Sequence, residues 1–468
     1  KQAEQFISKS LLLKPTNPTF LNTAAKISSV SGDVEKAFYY LDKAEEIFPK
    51  YFKTYNLKAK LFALQEKYEE AAKYYQKTLE FDKHNLSALN NISNIFYKIG
   101  DIEKARSYNQ QVLELQPNQP QALLNAGNME SMSGNIDSAL EFFFRSNKSD
   151  PSFMKPLVSA CEILLNKHEA NRVIEIMNSV SEALKEDPKR YLLLGQAYQQ
   201  RTEYSKASEM FLKASKLDPG DANIWYNFGH LAHVVGDIAK ATELYKKSLE
   251  INDTHPEPLY SLARAFYDLK KYDEAKEYYQ KALKISPENP VINFNYIKLK
   301  SSICDWENRK EDTEKLISNI QNITLNKKLI FIPMLDINYF PVPKELHLRA
   351  AKVNADITIQ KTSHFKETFN FQFTDRQNEK IRIGYISPDF RNHPVGKLIH
   401  DMFQYHDRKN FEVYAYALVV TGKEDEYREK IRSQVDIFRD ISKIPFYKAA
   451  EIICNDKIDI LIDMAGYT

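Results

Sequence analysis

Several common features are missing from this chain of 468 residues, and each absence narrows what it can be. No apolar run reaches the roughly 18 residues that a membrane-spanning helix needs, so no bilayer crossing is expected. An excess of one charge is missing too: 65 Lys and Arg stand against 63 Asp and Glu, a formal net charge of +2. The two signs are interleaved, as on solvated helix faces, and no basic footprint for nucleic acid emerges. Cysteine is scarce: Cys161, Cys304 and Cys454 lie far apart and form no C-x-x-C pair. They read as reduced core residues of a cytosolic protein, with no disulfide framework and no metal site expected. Neither G-x-G-x-x-G nor a Walker A loop occurs, which weakens the dinucleotide and P-loop readings. The chain opens on Lys1 instead of Met, so we do not expect it to begin at a native start; the cysteine usage points away from secretion.

What the chain does have is a period of 34 residues from about residue 18 to residue 289. Steps of 34 from Ala37 give Ala71, Ala105, Ala139, Val173, Ala207, Ala241 and Ala275. Twelve residues before each stands a small side chain: Ala25, Ala59, Ser93, Gly127, Cys161, Gly195, Gly229 and Ala263. Twelve after come Pro49, Pro117, Pro151, Pro219 and Pro287. Small residues on both helices of an antiparallel pair let the backbones approach, and proline ends the second helix because it lacks an amide donor. Gly32, Gly100, Gly134 and Gly236 fall between the helices, where a left-handed turn is wanted. This is the tetratricopeptide repeat pattern, in eight registered copies. Stacked helix pairs of this kind wind into a right-handed superhelix whose concave face suits extended ligands. Residues 1–17 read as part of a preceding repeat. The fifth copy, 154–187, is the most degenerate, with Val173 and Lys185 in the alanine and proline slots, and is the expected soft spot.

Residues 290–378 break the period and should cap the stack and link it onward. Asn295 and Tyr296 continue a ninth first helix, but its small slot holds Ile297 and Arg309 stands where the alanine of the second helix belongs; Pro333, Pro341 and Pro343 mark a loop; residues 344–355 read as an amphipathic helix. Over 379–468 the pattern changes again. Apolar runs at 381–387, 411–419, 435–441 and 458–464 read as strands, with helices at 395–405, 424–433 and 445–455. Strands alternating with helices imply parallel pairing, hence a Rossmann-like α/β lobe behind a mostly helical chain.

Ligands of such open sheets bind beyond the carboxyl ends of the strands. Two loops qualify: 388–394, containing Asp389, Asn392, His393 and Pro394, and the closing Gly466, Tyr467 and Thr468. His393 could take a hydroxyl proton or donate to a phosphate. On spacing alone, the plainer reading is that it caps the helix that follows. Along the repeats, Asn91, Asn125, Asn227 and Asn295 recur two residues before the small slot, where they should face solvent. An amide offers a donor and an acceptor to a passing peptide group. The alternative is ordinary polar helix surface.

The runs IRIGYISPDFRNHP, FEVYAYAL, DISKIP and DILIDMAGYT, with Cys304-Asp305-Trp306 after the last repeat, resemble glycosyltransferase family 41. That family comprises the protein O-GlcNAc transferases and their SPINDLY relatives. The resemblance implies a GT-B catalytic region of two Rossmann-like lobes, of which the chain to Thr468 would hold the N-terminal one and so be inactive alone. His393 is similar to the family's active-site histidine, and Gly466–Tyr467–Thr468 to its loop near the sugar. Lys397 stands where animal members have a second histidine. The four asparagines resemble the ladder that holds a substrate backbone. The implied activity is inverting transfer of a sugar to Ser or Thr hydroxyls of proteins held by the repeats. UDP-GlcNAc is the expected donor, with GDP-fucose as the alternative and no cofactor or metal. Other expectations are a cytoplasmic location (the nucleus too in a eukaryote) and a homodimer through the repeats. A non-catalytic scaffold with a vestigial lobe stays open as the rival.

Overall fold

The computed structural model describes residues 2–468 apart from 326–329, 331, 333, 339, 369–379, 420–424, 443, 445 and 465–468. Contacts group the chain into two compact units: Lys1–Gln200 with Tyr204–Ala265, and Arg201–Glu203 with Phe266–Thr468.

The first unit is a stack of helix pairs. After Gln2–Leu13, first helices begin at Pro18, Phe52, Leu86, Pro120, Met154, Pro188, Ala222 and Pro256, each one period from the last. The alanine slots from Ala37 to Ala241, and Val173 among them, are fully buried. The small slots are close approaches: a Cβ on Gly127 or Gly195 would sit 2.5 Å from the ring of Phe143 or Phe211. Ser93 uses its slot differently, donating its hydroxyl to the Ala105 carbonyl at 2.8 Å. Between the helices, Gly32, Gly100, Gly134 and Gly236 adopt φ of +80° to +90°. The aspartates after three of them, Asp33, Asp101 and Asp237, then cap the second helices by accepting from the backbone N–H three residues on.

The same left-handed position recurs where the sequence has no glycine. Glu66, His168, Thr202, Lys270 and Cys304 all sit at φ of 55° to 60°, at whole periods from Gly32. Cys304 therefore continues the repeat geometry into the C-D-W run, and it is exposed, not a core residue as expected; only Cys161 is buried. Burial pushes the Cys161 thiol up to about 12. Thr202 is the most costly of these turns, because a β-branched residue is disfavoured at positive φ and its hydroxyl is buried without a partner. Thr202→Gly should raise stability by about 1 kcal/mol, read as an upward shift of the thermal midpoint, with Gly100→Thr moving it the other way. An unchanged midpoint for both would show that these turns carry no strain.

The fifth repeat is irregular as expected. Its second helix, Ala170–Asn178, has 9 residues where the others have 14, and a 3₁₀ turn at Glu182–Leu184 follows. Ser179-Val180-Ser181 favours leaving the helix, and Met177 and Leu184 still fill the core.

In the second unit, Tyr272–Ile285 and Pro290–Ser302 extend the pattern, followed by Arg309–Leu325, the short Met334–Ile337 inside the expected loop, and Lys344–Thr368. The last is longer than the sequence suggested. The sheet has four parallel strands: β1 Ile381–Ser387, β2 Phe411–Ala417, β3 Ile437–Asp440 and β4 Ile460–Asp463, in the order β3-β2-β1-β4. Residues 413–417 of β2 are all buried, as a strand covered on both faces must be. Residues 395–405 are not one helix. Pro394–Ile399 ends early and a 3₁₀ turn, Phe403–Tyr405, drops Phe403 into the core edge-on against Tyr385.

Candidate functional site

The strand order fixes where a ligand would sit. β1 has its successor β2 on one side and β4 on the other, so the order reverses between β1 and β4. Such a switch point opens a crevice at the carboxyl ends of the strands. Ile386 pairs with Asp463, and the Met464 N–H donates to the Ile386 carbonyl at 3.1 Å, so the chain leaves β4 beside the end of β1. Gly466, Tyr467 and Thr468 lie outside the described residues.

The 388–394 loop is held from several directions. The Asp389 N–H donates to the buried Ser387 hydroxyl at 3.0 Å, and Phe390 is fully buried, edge-on to Phe403. Two tight turns follow, Arg391 N–H to Asp389 carbonyl and His393 N–H to Arg391 carbonyl, both 2.7 Å. Opposite stands the start of helix Glu426–Gln434. Its N-cap Asp425 accepts from Tyr427 and Arg428 N–H and, at 2.5 Å, from Asn392 N–H. Buried Arg428 donates to the Phe390 and Val419 carbonyls and pairs with Asp440 at 2.6 Å. From below, Gly396 presses on the turns so closely that a Cβ there would lie 2.1 Å from the Arg391 carbonyl oxygen.

This packing gathers polar side chains at one strand end. The Asp389 carboxylate lies 3.4 Å from His393 Nδ1 and 3.7 Å from Arg391 Nη2. His393 is also the N-cap of Pro394–Ile399, its Nδ1 accepting from Val395 N–H at 3.3 Å. Those two contacts exclude each other in a neutral ring. If Nδ1 accepts from Val395, the proton sits on Nε2, which is then a donor. If Nδ1–H points to Asp389, Nε2 has a lone pair and is a base backed by a carboxylate. Exposed Lys397 lies 5.8 Å over the Tyr427 ring, beside His400 edge-on to the same ring. Arg391 Nε is buried without a partner. The sequence reading passed over Arg391, Asp425, Arg428 and Gly396. Only the glycine had a visible signal, sitting in the first turn of a helix.

The ladder asparagines are more occupied than expected. Asn227 donates to the Asn223 carbonyl at 2.8 Å and accepts from Gln196 of the previous repeat at 3.0 Å. Asn295 donates to the Val291 carbonyl at 2.8 Å, and Asn91 stands 3.5 Å from the Ser87 hydroxyl. Asn125 does not face solvent: it is buried, accepts from Gln121, and has an Nδ2 without a partner. That nitrogen borders a hollow also lined by Asn94, Asn128 and Tyr97. Asn94 and Asn128 form a second amide row three residues on, missed in the sequence although the spacing was there to read. Among the described residues no cluster of His, Cys, Asp or Glu could hold a metal ion, and no helix is long and apolar enough to cross a membrane.

Comparison with known proteins gives two kinds of match. Residues 303–468 match glycosyl transferase family 41, and residues 52–118, 188–221 and 220–288 match tetratricopeptide repeats. The chain is similar to the UDP-N-acetylglucosamine–peptide N-acetylglucosaminyltransferase of Caenorhabditis elegans, 32% identical over 36% of this chain and 15% of that one. It is similar to the probable enzyme of that name, SEC, of Arabidopsis thaliana, 43% identical over 19% of this chain and 9% of that one. It is similar also to the probable enzyme of that name, SPINDLY, of Solanum lycopersicum, 34% identical over 21% and 11%. The matched segments thus span 15% or less of these three relatives.

Proposed function

We propose that this chain, whose residues 303–468 match glycosyl transferase family 41 behind tetratricopeptide repeats, serves protein O-glycosylation as a member of that family. In this reading the repeats bind extended protein segments and the α/β lobe contributes to transfer of a sugar from a nucleotide donor to Ser or Thr. UDP-GlcNAc is the donor we assign, in keeping with the names of the relatives. No cofactor or metal is invoked, and the protein acts in the cytoplasm. The observation that carries the reading is the Asp389–His393 pair in the loop at the β1/β4 switch point.

The chemistry follows from the atoms. The acceptor oxygen attacks the anomeric carbon in line with the leaving phosphate, the carbon–phosphate oxygen bond breaks, and the hydroxyl proton must go to a base. His393 Nε2 is that base when Nδ1–H faces Asp389. Arg391, half-exposed in the same loop, supplies positive charge for the donor's phosphates. The test is mass spectrometry of acceptor proteins incubated with the full-length protein and UDP-GlcNAc, with GDP-fucose in parallel. Addition of N-acetylhexosamine to Ser or Thr is expected; no addition from either donor would leave the scaffold reading standing.

The repeats make their own prediction. Asn91→Ala with Asn227→Ala should weaken binding of extended acceptor proteins by about 0.5–1.5 kcal/mol for each hydrogen bond lost. Both residues are half-buried, whereas Asn125 is buried and is therefore left intact. Titration calorimetry and thermal unfolding together decide the matter. Unchanged binding with a lowered midpoint would make these asparagines structural.

A further inference from the structure

Two repeats of the stack treat the same junction differently. Between repeats six and seven the protein closes it: Gln196 Nε2 donates to Asn227 Oδ1 at 3.0 Å. Asn94 and Asn125 stand three periods earlier, at the same separation along the chain. Asparagine is one methylene shorter than glutamine, and Asn94 does not close the gap. Asn125 Nδ2 stays buried without a partner. A hollow of about 10 Å³ is left between helices Leu86–Ile99 and Pro120–Met132, the room of a single polar group.

The groups around the hollow say what it would take. Asn125 Oδ1 accepts from Gln121 Nε2 at 3.0 Å, so Nδ2 is what Asn125 offers, and a buried donor wants an oxygen. Half-buried Asn128 and exposed Asn94 add carboxamides at the side and the mouth, each with a donor and an acceptor. No charged side chain is among the described residues of the lining. The charged neighbours in sequence turn elsewhere, Lys98 to the Tyr68 hydroxyl and Glu130 to Arg106 and Asn135. One period away on either side the row of Asn94 and Asn128 carries Lys60 and Glu162, opposite signs that favour neither ion. A carboxylate would therefore be buried with nothing to neutralise it. A backbone peptide group fits poorly for a different reason. It is trans, so its C=O and N–H point apart and only one can enter. A primary carboxamide carries oxygen and nitrogen side by side on one carbon. Its oxygen can meet Asn125 while its NH₂ meets the amide oxygens of Asn94 or Asn128.

We propose that this hollow is a side-chain subsite for the acceptor polypeptide, taking the carboxamide of a glutamine or asparagine. The proposal rests on the reading of the repeats as the acceptor-binding part, and adds selection by side chain to contacts with the backbone. It concerns binding alone, so it can fail while donor binding and transfer stand.

The experiment is fluorescence anisotropy with the full chain and four labelled Ser/Thr-rich peptides, so spaced that register does not matter. Every fourth residue is Gln in the first, Glu in the second, Met in the third and Ala in the fourth. Glu and Met match glutamine in length but lack the amide. The Gln peptide should bind about tenfold tighter than the other three. Asn94→Gln is the decisive variant, because a glutamine there should reach Asn125 as Gln196 reaches Asn227 and fill the hollow from within. It should abolish the preference for Gln and leave the thermal midpoint unchanged or higher, which separates a filled site from a misfolded one. Equal affinities for the four peptides, or a preference for Glu, Met or Ala, would overturn the proposal and leave backbone recognition alone. A Gln preference that survives Asn94→Gln would overturn it too, by placing the carboxamide elsewhere. Binding of none of the four would overturn both the proposal and the reading of the repeats beneath it.

Discussion

Gly396→Ala should dismantle the candidate site and lower the thermal midpoint of the second unit. The reason is distance. The added Cβ would stand 2.1 Å from the Arg391 carbonyl oxygen and 2.6 Å from that of Asp389. Both are backbone atoms, which cannot swing aside as a side chain can. They are also the acceptors of the two tight turns that place Asp389, Asn392 and His393. To admit one methyl group, the loop must lift off the helix start and break those turns. Overpacking in a well-fitted interior costs about 1–3 kcal/mol, and an immovable neighbour puts this case at the upper end. Transfer by the full-length protein should fall below detection, whereas the sheet and its buried strand β2 should persist in the circular dichroism spectrum. Lys397→Ala, one residue on and exposed, is the control and should leave the midpoint unchanged. Wild-type midpoint and transfer for Gly396→Ala would mean that the loop geometry is not what the chemistry needs.

The difference between Gly396 and Lys397 also shows what a sequence can and cannot display. The helix pairs were legible because the alanine and small slots repeat every 34 residues and are the residues actually buried at the crossings. The turns were half legible. Gly32, Gly100, Gly134 and Gly236 announce a left-handed backbone, but Glu66, His168, Thr202, Lys270 and Cys304 also adopt a positive φ at the same register. Nothing in those side chains signals the turn; only their register does. The strands were legible from apolar runs, and the helix at 395–405 was overextended because the pull of Phe403 toward Tyr385 is a long-range contact. In the site, His393 and Asp389 could be read from a strand end followed by a helix. Asp425 and Arg428 could not, since they reach the loop from a helix some 30 residues on, and spacing along a chain does not encode that approach.

His393→Asn separates the cap that the structure shows from the base that we propose. As an N-cap, His393 accepts from Val395 N–H, and asparagine is among the best side chains for that position. His393→Ala loses the cap, at a cost of about 1 kcal/mol, and the imidazole with it. His393→Asn keeps the cap and loses only the imidazole. If the ring takes the acceptor's proton, both variants of the full-length enzyme should lose about 10²–10⁴-fold in kcat, and only the alanine variant should lose stability. If the ring is a cap and nothing more, the asparagine variant should turn over like the wild type, and the active-site assignment would lose its support. Asp389→Asn then distinguishes the tautomers. With Nδ1–H directed at Asp389, removing the carboxylate's charge withdraws the counter-ion of the developing imidazolium, and kcat should fall several-fold or more. With Nδ1 accepting from Val395, Nε2 is already protonated and cannot be the base, so the same substitution should change kcat little. Because the 3.3 Å and 3.4 Å contacts at Nδ1 are nearly equal in length, the ring stands close to both arrangements. In the proposed mechanism, substrate binding selects the basic arrangement without moving the backbone, so that one histidine both caps the helix and takes the proton.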